Sequence, residues 1–144
     1  MVCRDEYNVA QDISLGHFTY EKSPLGCAEG QAVIDFIEKE KILEKVARDA
    51  LWMEEQLHIL KSKYPIISDI RGMGLLWAVD LADSSTGEPA TNEAEKVMYS
   101  FLEHGLSFKV SQGHVLQLSP ALTIIKEELI QVLGILEKAI RSVS

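Results

Sequence analysis

Cysteines, long apolar runs and basic residues are all scarce in this sequence. Two cysteines among 144 residues are too few for a disulfide framework, and Cys3 and Cys27 lie too far apart to form a metal-binding knuckle. No apolar run approaches the roughly 20 residues of a membrane-spanning helix. The formal net charge of −8 also argues against the basic stripe that binds nucleic acid or an anionic membrane. We therefore expect neither nucleic acid nor a membrane as a partner.

The composition is otherwise that of one globular domain. Apolar residues make up 47% of the chain and charged residues 25%, which supplies both a core and a solvated surface. Residues 1–6 lack the basic start and apolar stretch of a secretory signal, so we expect a cytoplasmic protein. The four histidines lie in four different predicted elements, and none has a second ligand-type residue at a recognised metal spacing. The sequence therefore predicts no metal site.

Helical and strand patterns alternate along the chain without a linker. Ser23 is placed to cap a helix whose first position is Pro24, and the apolar spacing extends that helix to about residue 39. A second amphipathic helix follows, and Pro65 ends it. Branched apolar residues predict strands at 66–70, 75–81, 106–110 and 115–118.

The fold class follows from the short connections between these strands. Parallel strands would need crossovers of a dozen or more residues, whereas short connections suit antiparallel pairing. Two further helices are predicted. One begins with a capping-box signature formed by Asn92 and Glu95, and the last spans about 126–142. The alternation has an α/β pattern, but we expect an α+β fold with a small, mostly antiparallel sheet and helices on one face.

Small residues crowd the start of the first predicted helix. The stretch GHFTYEKSPLGCAEG, residues 16–30, places Thr19 five residues before Pro24. Four small residues then occupy the opening turns: Gly26, Cys27, Ala28 and Gly30. Each glycine costs a helix roughly 1 kcal/mol, so close packing against another backbone is one explanation. Core packing is the other, and we expect Cys27 to be a small buried helix residue.

No motif in the chain specifies chemistry by itself. Gly72-Met73-Gly74 lacks the third glycine of a phosphate-binding loop and leads into a strand, whereas a phosphate cradle needs a helix N-terminus behind it. No nucleophile-elbow pattern singles out a serine. Motifs alone therefore describe an α+β domain without a defined activity.

Three segments, in this order, resemble the C-terminal portion of the class III aminotransferases, which are pyridoxal-phosphate enzymes of fold type I. The segments are GHFTYEKSPLGCAEGQAVIDFIEKEKILEK, YPIISDIRGMGLLWAVDLADSSTGEPA and EHGLSFKVSQGHVLQLSPALTIIKEELIQVLGILEKAI. The family shows in these places a threonine five residues before an N-P or similar pair, an R-G-x-G-L bend and an "sPPLtit" segment. The resemblance covers about residues 14–143. It implies a remnant of the large domain with the interdomain helix at 1–40, and the C-terminal small domain at 41–144.

The resemblance implies a role for Thr19, and it assigns the Schiff-base role to no lysine of this chain. Thr19 lies where the family has a threonine that reaches across the dimer interface to the cofactor phosphate of the neighbouring subunit, so a homodimer or higher homo-oligomer is implied. The family's Schiff-base lysine, its aspartate facing the pyridine nitrogen and its glycine-rich phosphate loop all precede the matched region. We therefore assign no catalytic residue. We expect this chain, as a fragment of a longer enzyme, to bind no pyridoxal phosphate alone and to be inactive.

Within the matched region, Gln117 departs from the family pattern. Many members have there an arginine that binds the α-carboxylate of the substrate, and glutamine cannot form that bidentate ion pair. Gln117 is thus the candidate substrate-side residue, and we expect the full enzyme to transfer an amino group from an ω-amino acid or an amine to a 2-oxo acid. Arg71, the other candidate carboxylate binder, is expected to be structural. Ile125 replaces the usual polar cap of the last helix.

A second class of function stays open. The chain would then be a non-catalytic, stand-alone interaction module derived from such a domain, and Thr19 would have no role in it. A reading frame that extends upstream of Met1 into a cofactor-binding domain would decide for the enzyme, and its absence would favour the module.

Overall fold

The computed structural model describes residues 23–144, and the chain divides into two units, Met1–Glu40 and Lys41–Ser144. Thr19 lies outside the described residues, so its role at the cofactor phosphate stays a prediction. The assignment of the two units to a large-domain remnant and a small domain also stays a prediction.

Helix α1 spans Pro24–Lys39, as the sequence predicts. Ser23 caps it by accepting a hydrogen bond from the Gly26 N–H at 3.4 Å, and Pro24 suits the first position because the N–H that it lacks would have no partner there. No residue of α1 is buried. Cys27 is therefore exposed, and the expectation that it is buried is wrong.

The glycines of α1 have no close neighbour within the described part of the chain. A Cβ atom on Gly30 would meet nothing within 4 Å, and one on Gly26 would meet Cβ of Ser23 at 3.8 Å. Packing inside residues 23–144 therefore does not explain why these two positions are glycine.

Residues 41–144 fold as three helices and one four-stranded sheet. The elements are α2 (Ile42–Lys63), β1 (Ile67–Met73), β2 (Leu76–Leu81), α3 (Thr91–Glu103), β3 (Lys109–Ser111), β4 (Val115–Leu118) and α4 (Lys126–Arg141). The strand order is β1-β2-β4-β3, and each neighbouring pair is antiparallel. The predicted α+β class with a small antiparallel sheet is therefore confirmed. Links as short as residues 74–75 cannot carry the crossover that parallel strands need.

Helices α2, α3 and α4 share one apolar core with one face of the sheet: α2 contacts β1, α3 contacts β2, β3 and β4, and α4 packs on α2 and α3. Alternate residues of β2 are buried on that face at Trp77, Val79 and Leu81, and Leu116 and Leu118 continue it on β4. The largest fully buried side chains of the core are Phe101, Met53, Leu57, Leu81, Leu116, Leu129, Leu136 and Ile140. Burial of each contributes about 1.5–3 kcal/mol. Because every buried residue among 23–144 is apolar, this side of the sheet is a dry core.

Helix α3 begins at Thr91, and no side chain caps it. The predicted capping box of Asn92 and Glu95 is therefore wrong. Ala90 sets the start instead, since it is buried and donates its N–H to the Leu81 carbonyl at 3.1 Å. Tertiary docking on β2 thus takes the place of a local cap.

Helix α4 begins after Ile125, whose side chain has no acceptor for a cap. Glu128 compensates in part, because its Oε2 accepts a hydrogen bond from the Ile125 N–H at 3.2 Å. Lys126 Nζ also lies 3.2 Å from the ring centroid of Trp52 on α2. This cation–π contact holds the first turn of α4 against α2.

Candidate functional site

The sheet face opposite the helices, which we call the open face, carries the candidate site. Arg71, Ala78, Gln117 and Lys109 lie directly opposite one another across β1, β2, β4 and β3 and so form one row over the whole sheet. Opposed residues of antiparallel strands share a face, and their Cα atoms are about 4.5–5.5 Å apart. A cavity of about 490 Å³ lies over the part of this row formed by Arg71, Ala78 and Gln117. Its apolar lining consists of Met73, Leu76, Trp77, Ala78 and Val115.

Gln117 is half-buried and lines this cavity. Ser111 Oγ donates a hydrogen bond to Gln117 Oε1 at 3.4 Å. The Nε2 group of Gln117 therefore keeps two N–H donors with no acceptor among the described residues. Such a group can bind an oxygen of a ligand, but it carries no charge. The substrate-side role of Gln117 stays a prediction.

Arg71 lies at the far end of the row, where two carboxylates hold it. Its Nη1 donates to Asp80 Oδ2 at 2.6 Å and to Asp69 Oδ2 at 3.2 Å. The hydrogen bond to Asp80 is the main cause of the raised pKa of Arg71. The pKa of Asp69 is lowered, first by the backbone N–H of Ile70 and then by Arg71. Nη1 of Arg71 is therefore bound to two neighbouring carboxylates, as expected of a structural residue, while its Nη2 and Nε groups have no hydrogen-bond partner among residues 23–144.

Asp80 is a polar residue of this face that the sequence analysis does not single out. It stands opposite Val115, and its side chain is 17% exposed. Its Oδ1 is buried and has no hydrogen-bond partner among the described residues. A buried acceptor left unpaired costs about 1–3 kcal/mol. The signal in the sequence is one charged residue within the apolar strand LWAVDL, but an unpaired oxygen becomes visible only once the strand register is known.

The glycine bend between β1 and β2 positions the open face. A Cβ atom on Gly72 would lie 2.4 Å from Cδ2 of Trp77 and 2.5 Å from the backbone oxygen of Leu76, so glycine is required for β1 to pass this ring. Gly74 has a φ of 59° in the turn, and its carbonyl accepts a hydrogen bond from Trp77 Nε1 at 2.9 Å. The bend therefore has a structural explanation that involves no phosphate.

Residues 23–144 do not by themselves form a cradle for pyridoxal phosphate. A phosphate and a pyridine nitrogen need enclosed polar partners, whereas the buried residues in this range are all apolar. Lys109, the lysine that the register places on the open face, lies on an edge strand. The cofactor would need residues from outside this part of the chain. That the chain alone binds none stays a prediction.

Away from the open face, the polar groups of the described residues serve local structure. The carboxylate of Asp83 accepts hydrogen bonds from Ser85 Oγ at 2.5 Å and from the N–H groups of Thr86 and Ser85. These bonds lower the pKa of Asp83 to about 2. No group of three or more His, Cys, Asp or Glu within residues 23–144 could hold a metal ion. No helix in that range is long and apolar enough to cross a membrane.

Comparison with known proteins places these features in a family context. The family model described as aminotransferase class-III matches residues 2–140. The (R)-1-hydroxy-2-aminoethylphosphonate ammonia-lyase of Vibrio splendidus is 53% identical over 144 residues, which are 99% of this chain and 30% of that protein. The leucine/methionine racemase of Thermococcus litoralis is 40% identical over 131 residues, which are 90% of this chain and 30% of that protein.

The fold also has counterparts among solved structures. The crystal structure of an aminotransferase from Bacillus anthracis superposes with a TM-score of 0.75 at 31% sequence identity, covering 83% of this chain and 28% of that one. The chain thus spans about 30% of the length of the curated relatives that it matches.

Proposed function

This chain belongs to the class III aminotransferases, and we propose from this premise that it is the small-domain part of an enzyme for primary amines that lack an α-carboxylate. An ω-amino acid and a simple amine both meet that description. The resemblance read from the sequence is confirmed at the level of the family, and enzymes of this class depend in general on pyridoxal phosphate. The activity and substrate of the whole protein are proposals.

One observation carries the substrate proposal: a neutral amide stands on the open face where many relatives have an arginine. The cavity beside Gln117 is mainly apolar and Lys109 does not line it, so an α-carboxylate placed inside it would lose water and gain one uncharged donor from Gln117. That exchange costs about 1–3 kcal/mol relative to a charge-assisted pair. Arg71 adds little, because Asp80 and Asp69 already pair with its charge. An amine without an α-carboxylate meets no such cost.

The relative from Vibrio splendidus supports this proposal. The compound in its name carries an amino group at one end and a phosphonate at the other, with no carboxylate. That compound is the substrate named for the relative, and for this chain it supports only the proposed class of substrate.

We propose amino-group transfer to a 2-oxo acid as the reaction. Elimination of ammonia is a second candidate, which the name of the Vibrio relative favours. The whole protein supplied with an amine distinguishes the two reactions. Transfer requires a 2-oxo acid and converts it into an amino acid, whereas elimination releases ammonia without any acceptor.

The substrate proposal is tested by donor profiling of the whole protein beside a Gln117→Arg variant. The natural protein should prefer ω-amino acids or amines, and the variant should gain roughly 10- to 100-fold in kcat/KM for α-amino acids, because arginine restores the charged fork. Gln131→Arg, on the exposed side of α4, is the matched control and should leave the profile unchanged. If the natural protein already favours α-amino acids such as ornithine, and Gln117→Arg gains nothing for them, the proposal is wrong.

We further propose that the whole protein is a cytoplasmic homodimer or higher homo-oligomer, in which Thr19 of one subunit binds the cofactor phosphate of the other. This rests on the family resemblance. On the same basis the 144-residue chain should be inactive alone. A borohydride-stable adduct of pyridoxal phosphate with one lysine of the isolated chain, in stoichiometric yield, would contradict this.

The alternative is a stand-alone, non-catalytic interaction module. Under that alternative, the reading frame would not continue into a cofactor-binding domain, and Thr19→Ala would have no consequence. A cofactor-binding domain encoded in the same reading frame would exclude the interaction-module alternative.

A further inference from the structure

Lys109 stands directly opposite Gln117 on the open face. The two residues are directly opposed in the β3–β4 pair, so their side chains leave the sheet on the same side with Cα atoms about 4.5–5.5 Å apart. β3 is an edge strand of the sheet, and Lys109 is exposed. The pair therefore joins the edge of the apolar cavity to open solvent.

The charges at the Arg71 end of the row are paired, whereas the charge of Lys109 is not. Arg71 pairs with Asp80 and Asp69, and Nζ of Lys61, a residue of α2, lies 3.5 Å from Asp69 Oδ1. These two cations and two carboxylates cancel. Lys109 forms no ion pair with another residue of the described chain. An anion at this end of the row thus meets one unmatched positive charge.

Hydrogen-bond donors surround the same position. Ser111 occupies Oε1 of Gln117, which turns the carboxamide so that its two Nε2 hydrogens are the part left for a ligand. The ammonium of Lys109 adds three more donors. The pair offers a point charge and a separate amide instead of one planar fork, and lysine binds phosphate groups as a point charge. A tetrahedral group with three oxygens can accept from both at once.

We propose that Lys109 and the Nε2 group of Gln117 together bind a phosphorus oxyanion, a phosphonate or a phosphate ester, at the end of the substrate remote from its amino group. This deepens the proposed function and rests on it, since it names the group that replaces the α-carboxylate. Lys109 is the specificity-determining residue in this assignment, and Gln117 is its neutral partner. Ser111 is a positioning residue, because it acts by orienting Gln117.

Calorimetric titration of the whole holoenzyme with methylphosphonate tests the assignment, with the cofactor present so that its own phosphate site is filled. Lys109→Gln should raise the dissociation constant of methylphosphonate roughly 10- to 100-fold, the effect of losing one charge-assisted hydrogen bond. Lys109→Arg keeps the charge and should restore most of the binding. Lys96→Gln is the matched control, because Lys96 is exposed on α3, which packs on the opposite face of the sheet. Unchanged affinity in Lys109→Gln, equal losses in both glutamine variants, or no binding by the natural protein would each overturn the assignment.

Steady-state kinetics can test the oxyanion site separately from the proposed substrate class. KM values for an aminoalkyl phosphonate and an aminoalkyl phosphate ester, each compared with an uncharged amine of the same length, show which oxyanion is used. If the protein prefers amines without an α-carboxylate but Lys109→Gln leaves both KM ratios unchanged, the oxyanion site alone is wrong. If the protein prefers α-amino acids, the proposed function is wrong, whatever Lys109 does.

Discussion

Replacement of Gly72 by alanine should destabilise the protein by about 2–4 kcal/mol. The new Cβ atom would lie 2.4 Å from Cδ2 of Trp77 and 2.5 Å from the backbone oxygen of Leu76, where ordinary contacts are 3.4–4 Å. Overpacking of this kind costs about 1–3 kcal/mol. The oxygen belongs to a paired strand and cannot rotate away, so the end of the β1–β2 ladder must open as well. Loss of one hydrogen bond adds about 1 kcal/mol.

Urea unfolding followed by tryptophan fluorescence measures this effect, because Trp77 is 5% exposed in the core. Gly134→Ala is the control. A Cβ atom at Gly134 on α4 would meet nothing within 4 Å, and alanine is favoured over glycine in a helix by about 1 kcal/mol. The two glycine-to-alanine changes should therefore shift the midpoint in opposite directions. A Gly72→Ala protein within about 0.5 kcal/mol of the natural one would refute the close approach of β1 to the ring of Trp77.

Two further predictions concern pH and self-association. Hydrogen bonds from Ser85 and Thr86 hold the pKa of Asp83 at about 2, below its ordinary 3.8. The stability that this carboxylate contributes is therefore present above pH 3.8 and is lost as the pH falls through 2. The free energy of unfolding of Asp83→Asn should differ from that of the natural protein at pH 4, and this difference should shrink as the pH falls to 2. A difference that stays constant over this range would contradict the prediction. The exposed apolar residues of α1, among them Val33 and Phe36, should promote self-association of the 144-residue chain. In sedimentation experiments, the double variant Val33→Glu, Phe36→Glu should associate less than the natural chain, whereas the control Ile130→Glu on α4 should not. A natural chain that remains monomeric at high concentration would contradict this prediction.

The elements of the fold were predictable where local chemistry decides them. Ser23 and Pro24 set the start of α1 without help from the rest of the chain. The short links from β1 to β2 and from β3 to β4 require those two pairs to be antiparallel, whereas the β2–β4 pair has no short link and its direction did not follow from the sequence. The start of α3 was not predictable in this way. A buried Ala90, bonded to the Leu81 carbonyl, overrides the capping box that Asn92 and Glu95 could have formed, because tertiary contacts are stronger than one exposed cap.

Only one residue of the candidate site, Gln117, was predictable from the sequence, and its position beside Lys109 was not. Gln117 is visible in the sequence as a departure from a family pattern, but Lys109 lies eight residues away, in the segment where the predicted strand 106–110 and the observed strand Lys109–Ser111 differ. A shift of one residue in that strand would turn Lys109 to the helix-covered face. Whether Lys109 stands beside Gln117 is therefore fixed by the register of β3 on β4, which sequence periodicity over three residues cannot determine. Strand pairing likewise decides that Oδ1 of Asp80 is buried and has no hydrogen-bond partner among the described residues. Strand pairing thus determines which polar side chains lie together on the open face. A variant in which β3 pairs with β4 one residue out of register should not bind methylphosphonate, although it still contains Lys109.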